Sequence, residues 1–281
     1  MKLATVKDGS RDGRLVVVSR DLTQMTDASF LVRTLQAALD DWARLSPHLQ
    51  ALSESLDRGA VPAERFHEHD AMSPLPRAYR RLEASASDNA DPGASVATIR
   101  QMTSDGFLSP REPIRVAGDG ISVSGGVAVL TGDVPMGATP DEAGAAVRLV
   151  LLASDASRRA APNDSSSGAL LASAFSPVAV TTDELGDSWD GGRLHRELAV
   201  DINGKPSGRT DTGGTRADFP ALIAEAAKGR PLGAGAIIGT GPVSRRHEAG
   251  IGDTVRVEML DEKHHSIFGA IEQTVEPYRR A

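Results

Sequence analysis

Cysteine is absent from this 281-residue sequence. Its absence excludes thiol nucleophiles, structural disulfides and thiolate metal sites, and leaves His, Asp and Glu as the strong ligands for any metal. A basic excess is missing as well: 38 acidic side chains against 31 basic ones give a formal net charge of −7. Over the whole surface that balance repels nucleic acid phosphates and anionic headgroups, so neither nucleic acid nor membrane is an expected partner. No apolar run approaches the roughly 18 residues of a membrane span. Lys7, Asp8, Arg11 and Asp12 stand where a secretory peptide needs an apolar stretch, and the cytoplasm is the expected compartment.

Hydrophobic residues at 40% and charged residues at 25% place the chain among ordinary globular proteins. The first 20 residues alternate as a hairpin, MKLATVK and RLVVVSR around the turn DGSRDG. From Ser29 to Leu56 apolar residues recur at helical steps, and Pro47 is expected to split that stretch into two helices near Ser46. Ser73-Pro-Leu-Pro-Arg77 has the composition of a linker after a small N-terminal αβ domain, residues 1–72. Residues 73–281 then carry strand signals at Ile114 to Ala117, Ile121 to Thr131, Ala174 to Thr181, Glu197 to Ile202, Ala236 to Thr240 and Thr254 to Leu260. Thr139-Pro140-Asp141-Glu142 opens a predicted helix running on through AGAAVRLVLLAS, and Asp218 to Lys228 forms another, ended by Gly229. The fold class is α+β, with a β-dominated C-terminal domain.

The segments SPLPRAY, GVAVLTGDVPMGATPDEA, AFSPVAVTTDELGDSW, INGKPSG, LIAEAAKGRPLGAGAIIGTGPVS and GDTVRVEMLDEKHHSIFGAIEQ occur in an order that resembles the fumarylacetoacetate hydrolase family, in its bacterial branch with a small N-terminal domain. The resemblance implies a mixed β-roll in the C-terminal domain, a homodimer, and a metal-dependent site acting on 1,3-dicarbonyl acids. In that chemistry a divalent cation (Mg, Ca or Mn) polarises paired oxygens, a basic dyad activates water, and a lysine stabilises the developing oxyanion. The cation takes hard oxygen ligands, a Glu-x-Glu pair on one strand and an Asp further on.

Carried over position by position, most of these residues are missing. Ser124 and Gly126 fall where the two glutamates belong, and Asp155 is the surviving match to the third ligand. Leu170 falls at the lysine position, and the stretch of the family histidine aligns on Asn89, with no histidine there. The covering insertion before the last strands is absent between Ser244 and Gly252. No metal cofactor is therefore expected.

Asp155 then remains as a residue that polarises a substrate or holds Arg158 and Arg159; its plainer role is a helix C-terminal turn residue bonded to local backbone. The loop Ser85 to Ser95, with Asp88 and Asp91, either lines a new pocket or is solvated surface. His67-Glu68-His69-Asp70 has metal-like alternation on a strand but no third ligand nearby. His264-His265 falls in a turn, Gly233 to Gly235 and Gly239 to Gly241 read as tight turns, and Ser165 to Gly168 lacks a general base. Arg77, Arg80 and Arg81 form a basic cluster suited to a carboxylated ligand or, more plainly, to a solvated or dimer-contacting face.

Three functions are compatible with these residues: a repurposed, metal-independent enzyme for a small dicarbonyl or polyketide-like molecule, with Asp155, Asp88 and Arg158 as candidate catalytic residues; a non-catalytic pseudoenzyme, alone or pairing with an active paralogue; and an ordinary acylpyruvate-type hydrolase with a rearranged site.

Overall fold

A computed structural model of the protein describes residues 1–84, 98–118, 120–158, 170–215 and 217–279. The chain opens with β1 (Lys2–Val6), β2 (Arg14–Val18) and β3 (Gln24–Asp27), then α1 (Leu35–Asp40), α2 (Trp42–Asp57) and β4 (Glu64–Arg65). It continues through β5 (Arg81–Ala84), β6 (Ile99–Met102), β7 (Ile114–Val116), β8 (Gly120–Thr131), α3 (Pro140–Ala145), β9 (Val147–Arg158), β10 (Leu170–Phe175) and β11 (Val178–Val180). The last part holds β12 (Glu197–Ile202), β13 (Lys205–Asp211), α4 (Phe219–Ala226), β14 (Ile237–Gly239), β15 (His247–Gly250), β16 (Thr254–Met259) and β17 (Ile271–Pro277).

Among the described residues these strands make a 12-stranded sheet, ordered β4-β3-β2-β1-β11-β9-β8-β14-β5-β6 with β10 on β9 and β15 on β8, and a 5-stranded sheet, β13-β12-β16-β17-β7. The N-terminal hairpin forms as its alternation and turn predict. Its strand β1 also pairs β11 through Lys2↔Val180 and Ala4↔Val178, so the N-terminal strands extend the large sheet. The segment from Ser73 to Pro76 is buried rather than a free spacer. Ser73 Oγ donates to the Leu108 carbonyl (2.8 Å) and accepts from the Phe175 amide (2.9 Å).

Successive side chains of a strand point to opposite faces, and β8 and β9 are buried on both. Val127, Val129, Val150 and Leu152 belong to the core between the two sheets. Ala128, Leu130, Leu149 and Leu151 belong to a second core shared with Leu35, Leu39, Leu49, Leu52 and Leu56 of α1 and α2. The protein is thus layered as helices, large sheet, small sheet.

Two predicted elements come out differently. The helix opened by Thr139 starts where expected, with Pro140 in its first turn and a capping box between Thr139 and Glu142, but it ends at Ala145, and VRLVLLASDASR is strand β9. A strand buried on both faces reads as a continuous apolar run, which periodicity does not separate from a buried helix; pairing along β8 decides it. Pro47 lies inside α2, and the break comes earlier, at Asp41. An internal proline costs about 3 kcal/mol. Leu45, Leu49, Leu52 and Leu56 of α2 are all buried, each contributing about 1.5–3 kcal/mol, and together they outweigh it.

Candidate functional site

The site is built by register. Ser124 of β8 lies opposite Asp155 of β9, and Asp155 lies opposite Ser173 of β10, so the three side chains form one row across three strands. They share the helix-facing side of the sheet with Ala153, Leu151 and Phe175, at the point where that face turns from apolar to polar. Strand β5 contributes from the same face. Arg81 pairs Ile237 and Glu83 pairs Gly239 in β14, with β14 itself between β5 and β8.

Asp155 is a strand residue, not the helix-terminal turn residue of the plainer expectation, and its partner is not Arg158. Arg81, itself only 2% exposed, donates from Nη2 to both Asp155 oxygens at 2.8 and 2.7 Å. Its Nη1 donates to Ser173 Oγ (2.5 Å), and Ser173 Oγ donates on to Asp155 Oδ1 (2.5 Å). One guanidinium nitrogen thus bridges both carboxylate oxygens while the other reaches the same carboxylate through the Ser173 hydroxyl, a charge-assisted arrangement. Phe107 and Phe175, packed edge to face at 4.9 Å, flank the guanidinium with ring centroids 5.9 and 5.2 Å from its carbon. Glu83 stands 3.6 Å from Arg81 Nη2. Burial and the facing Asp155 carboxylate push the Glu83 carboxyl up to about 8, so at neutral pH it is a protonated acid beside an arginine–carboxylate pair.

The other predicted positions divide. Gly126 lies on the same face as Ser124, and a Cβ there would come 2.8 Å from the Gly241 carbonyl oxygen. Leu170 lies opposite Ser157 and so on the face of Asp155, but it carries no charge. Arg158, opposite Ile121, is exposed and points to the other face. Asp88 and Asn89, and also Asp91 and Ser165 to Gly168, lie outside the described residues. The basic cluster separates: Arg77 is paired with Asp12 at 2.7 and 2.8 Å, Arg81 is interior, and Arg80 points to the opposite face of β5.

His67 to Asp70 form a turn rather than a strand, and Glu68 is taken by Arg111. His264 and His265 lie in the turn between β16 and β17, and Gly235 and Gly241 hold positive φ in turns. Among the described residues no group of three or more His, Asp or Glu side chains is arranged to hold a metal ion. The donor set around Asp155 does not fit the divalent cation that the family resemblance implies. It comprises two serines and one carboxylate whose oxygens already accept from Arg81 and Ser173, with Glu83 held protonated, while such cations take six or more oxygens, several of them carboxylate.

Glu83 is not among the residues singled out from the sequence, and Arg81 appears there only as one of a basic cluster. Their signal is present: in Arg81-Leu82-Glu83-Ala84 charged and apolar residues alternate, which on a strand places both charges on one face. A cleft of about 590 Å³ lies at the seam of α1 with residues 74–79, lined by Asp12, Leu35, Gln36, Pro76, Arg77 and Tyr79. Phe107, whose amide donates to the Pro76 carbonyl (2.8 Å), also flanks Arg81.

The fold is one of mixed β-sheets with few helices, in which the small N-terminal part extends the large sheet of the rest. The sequence matches the family described as "Fumarylacetoacetate (FAA) hydrolase C-terminal" over residues 76–276, and "Fumarylacetoacetase N-terminal domain 2" over residues 1–77. The chain belongs to the fumarylacetoacetate hydrolase family. No curated protein matches by sequence. Among solved structures it is similar to maleylpyruvate hydrolase from Sphingobium sp. SYK-6, with TM-score 0.75 at 18% identity over 99% of this chain and 100% of that one. The manganese and pyruvate complex of that enzyme gives 0.74 at 17%, over 99% and 100%. A 5-carboxymethyl-2-hydroxymuconate delta-isomerase from Mycobacterium smegmatis gives 0.65 at 16%, over the whole of both chains. At these identities the likeness is one of fold. No helix among the described residues is long and apolar enough to cross a membrane.

Proposed function

We propose that this chain is a metal-independent enzyme of its family that moves a proton on a small dicarbonyl or related oxo acid, with Arg81 in the electrostatic role that a divalent cation has in a metal-dependent member. The observation that carries this reading is the bidentate hold of Arg81 on Asp155, which commits the one surviving candidate ligand to a fixed protein cation. Glu83 supplies the proton. A carboxylic acid near pH 8 is matched to proton transfer at neutral pH. In an enol-to-keto conversion it protonates carbon and recovers the enol hydroxyl proton, while Arg81 offsets the charge that builds on oxygen. Isomerisation of this kind needs no activated water. That agrees with the absence of the family's histidine and lysine from the aligned positions, and the solved structures of the same fold include an isomerase.

A non-catalytic binding protein is the second reading. It is favoured by the internal saturation of the cluster, since both Asp155 oxygens are satisfied within the protein. The experiment is ketonisation of an acylpyruvate followed by ultraviolet absorbance in the presence of chelator. Turnover that survives chelation, declines above about pH 8, and falls by about 10²-fold or more in Glu83→Gln supports the proposal. Turnover only after Mg²⁺ or Mn²⁺ addition overturns it in favour of an ordinary metal-dependent hydrolase. Binding of an oxo acid without turnover overturns it in favour of the binding protein.

A further inference from the structure

Beside β5, on the side away from Asp155, Arg80 has no ion pair among the described residues. Arg80 precedes Arg81 and so points to the opposite side of the strand, together with Leu82 and, from β6, Ile99 and Gln101. These residues and Glu225 at the end of α4 line a groove of about 520 Å³. Arg80 Nε and Nη1 are buried and have no hydrogen-bond partner, and neither Arg80 nor Arg230 has an ion pair among the described residues. Burial, and then the facing Arg230, hold the Arg80 guanidinium below its ordinary value. Glu225 is the one carboxylate of the groove, and it is paired with Lys228 at 3.4 Å.

A buried guanidinium N–H without an acceptor is costly, and setting a second guanidinium against it adds repulsion. The C-terminal end of α4 attracts cations through its free carbonyls, which accounts for arginines in the neighbourhood. It does not account for the N–H groups of Arg80, which donate to none of those carbonyls. Among the described residues the groove thus carries one unpaired cation, Arg80, and one carboxylate, Glu225, that is already paired with Lys228.

We infer that the groove between β5, β6 and the end of α4 is a binding site for a small oxyanion, the phosphate or carboxylate group of a metabolite, held by the Arg80 guanidinium that lines it, with the charge of Arg230 acting on the same group. A planar guanidinium matches both groups bidentately, and two together favour a dianion. The site lies on the face of β5 opposite Glu83, and its existence does not depend on the chemistry proposed there.

The test is calorimetric titration of the full chain with inorganic phosphate and, separately, malonate, at constant ionic strength. Saturable binding is expected, weakened about tenfold or more in Arg80→Gln and in Arg230→Gln, and unchanged in Arg77→Gln, which removes an equal charge already paired with Asp12. Preference for phosphate or for malonate identifies which group the site takes. No saturable binding of either probe, or equal binding by all three variants, overturns the inference. Chemical denaturation without anion supplies a second check. Arg80→Gln is expected to be as stable as the parent chain or more so, and a marked loss of stability would mean that Arg80 serves the fold instead of a ligand.

Discussion

Arg81 holds both carboxylate oxygens of Asp155, 74 residues away in sequence, from a strand separated from that of Asp155 by two others in the sheet order. In a flat sheet, strands about 4.8 Å apart would set those two backbones about 14 Å from each other. The contact shows how strongly the sheet curls at this point. It also makes the pair a joint of the fold, whatever chemistry it supports.

Removal of one partner is expected to leave the other buried and uncompensated. Arg81→Met is expected to cost about 3–5 kcal/mol, measured by urea denaturation. Adding Asp155→Asn to it should recover part of that loss, giving a coupling energy in a double-mutant cycle. Strictly additive losses would mean that the two side chains do not depend on each other.

Glu83 makes stability depend on pH. Its folded pKa, about 8, lies above the ordinary 4.5, so between those values the folded chain binds the extra proton and stability falls as pH rises. The contribution is complete below about pH 4.5 and gone above about pH 8. Glu83→Gln is expected to flatten that alkaline decline, by a difference on the order of a few kcal/mol at pH 9. Melting curves of both proteins from pH 5 to pH 9 check it, and parallel curves would refute it.

His247 acts with the opposite slope. It is 4% exposed, its Nδ1 is hydrogen-bonded to Ser207 Oγ at 2.8 Å, and burial followed by nearby Arg245 holds its pKa below 6.5. As pH drops below 6.5 the unfolded chain takes up a proton that the folded chain refuses, so this stability is complete above 6.5 and lost on the way down to the folded value. In His247→Asn the decline between pH 6.5 and pH 5 is expected to be shallower than in the parent, by thermal denaturation.

Gly126 tests the backbone packing on the face of β8 that also carries Ser124. The nearest obstacle to a side chain is the Gly241 carbonyl oxygen, a backbone atom, so Gly126→Ala is expected to cost about 1–3 kcal/mol in chemical denaturation. A neutral result would show that the turn at Gly241 yields. Ser124→Glu combined with Gly126→Glu is expected not to create micromolar Mn²⁺ affinity, measured by calorimetry, because Asp155 stays committed to Arg81.

The N-terminal hairpin and the helix starts at Thr139 and Asp218 were legible in the sequence, because each rests on a few adjacent residues. Strand β9 was misjudged as helix because an apolar run buried on both faces has no period of its own. The residues 147–158 became a strand only through the length of β8 beside them. Asp155 was legible as a candidate and its partner was not. Arg81 stood in a row of arginines that local composition assigns to the surface, and its burial depends on where the curled sheet brings β5. Sequence alone determined which groups this protein has to work with and which it lacks. The tertiary structure decided which of them meet, because the register of β8, β9 and β10 and the curl that returns β5 arise from pairings between distant segments, and no local pattern records them.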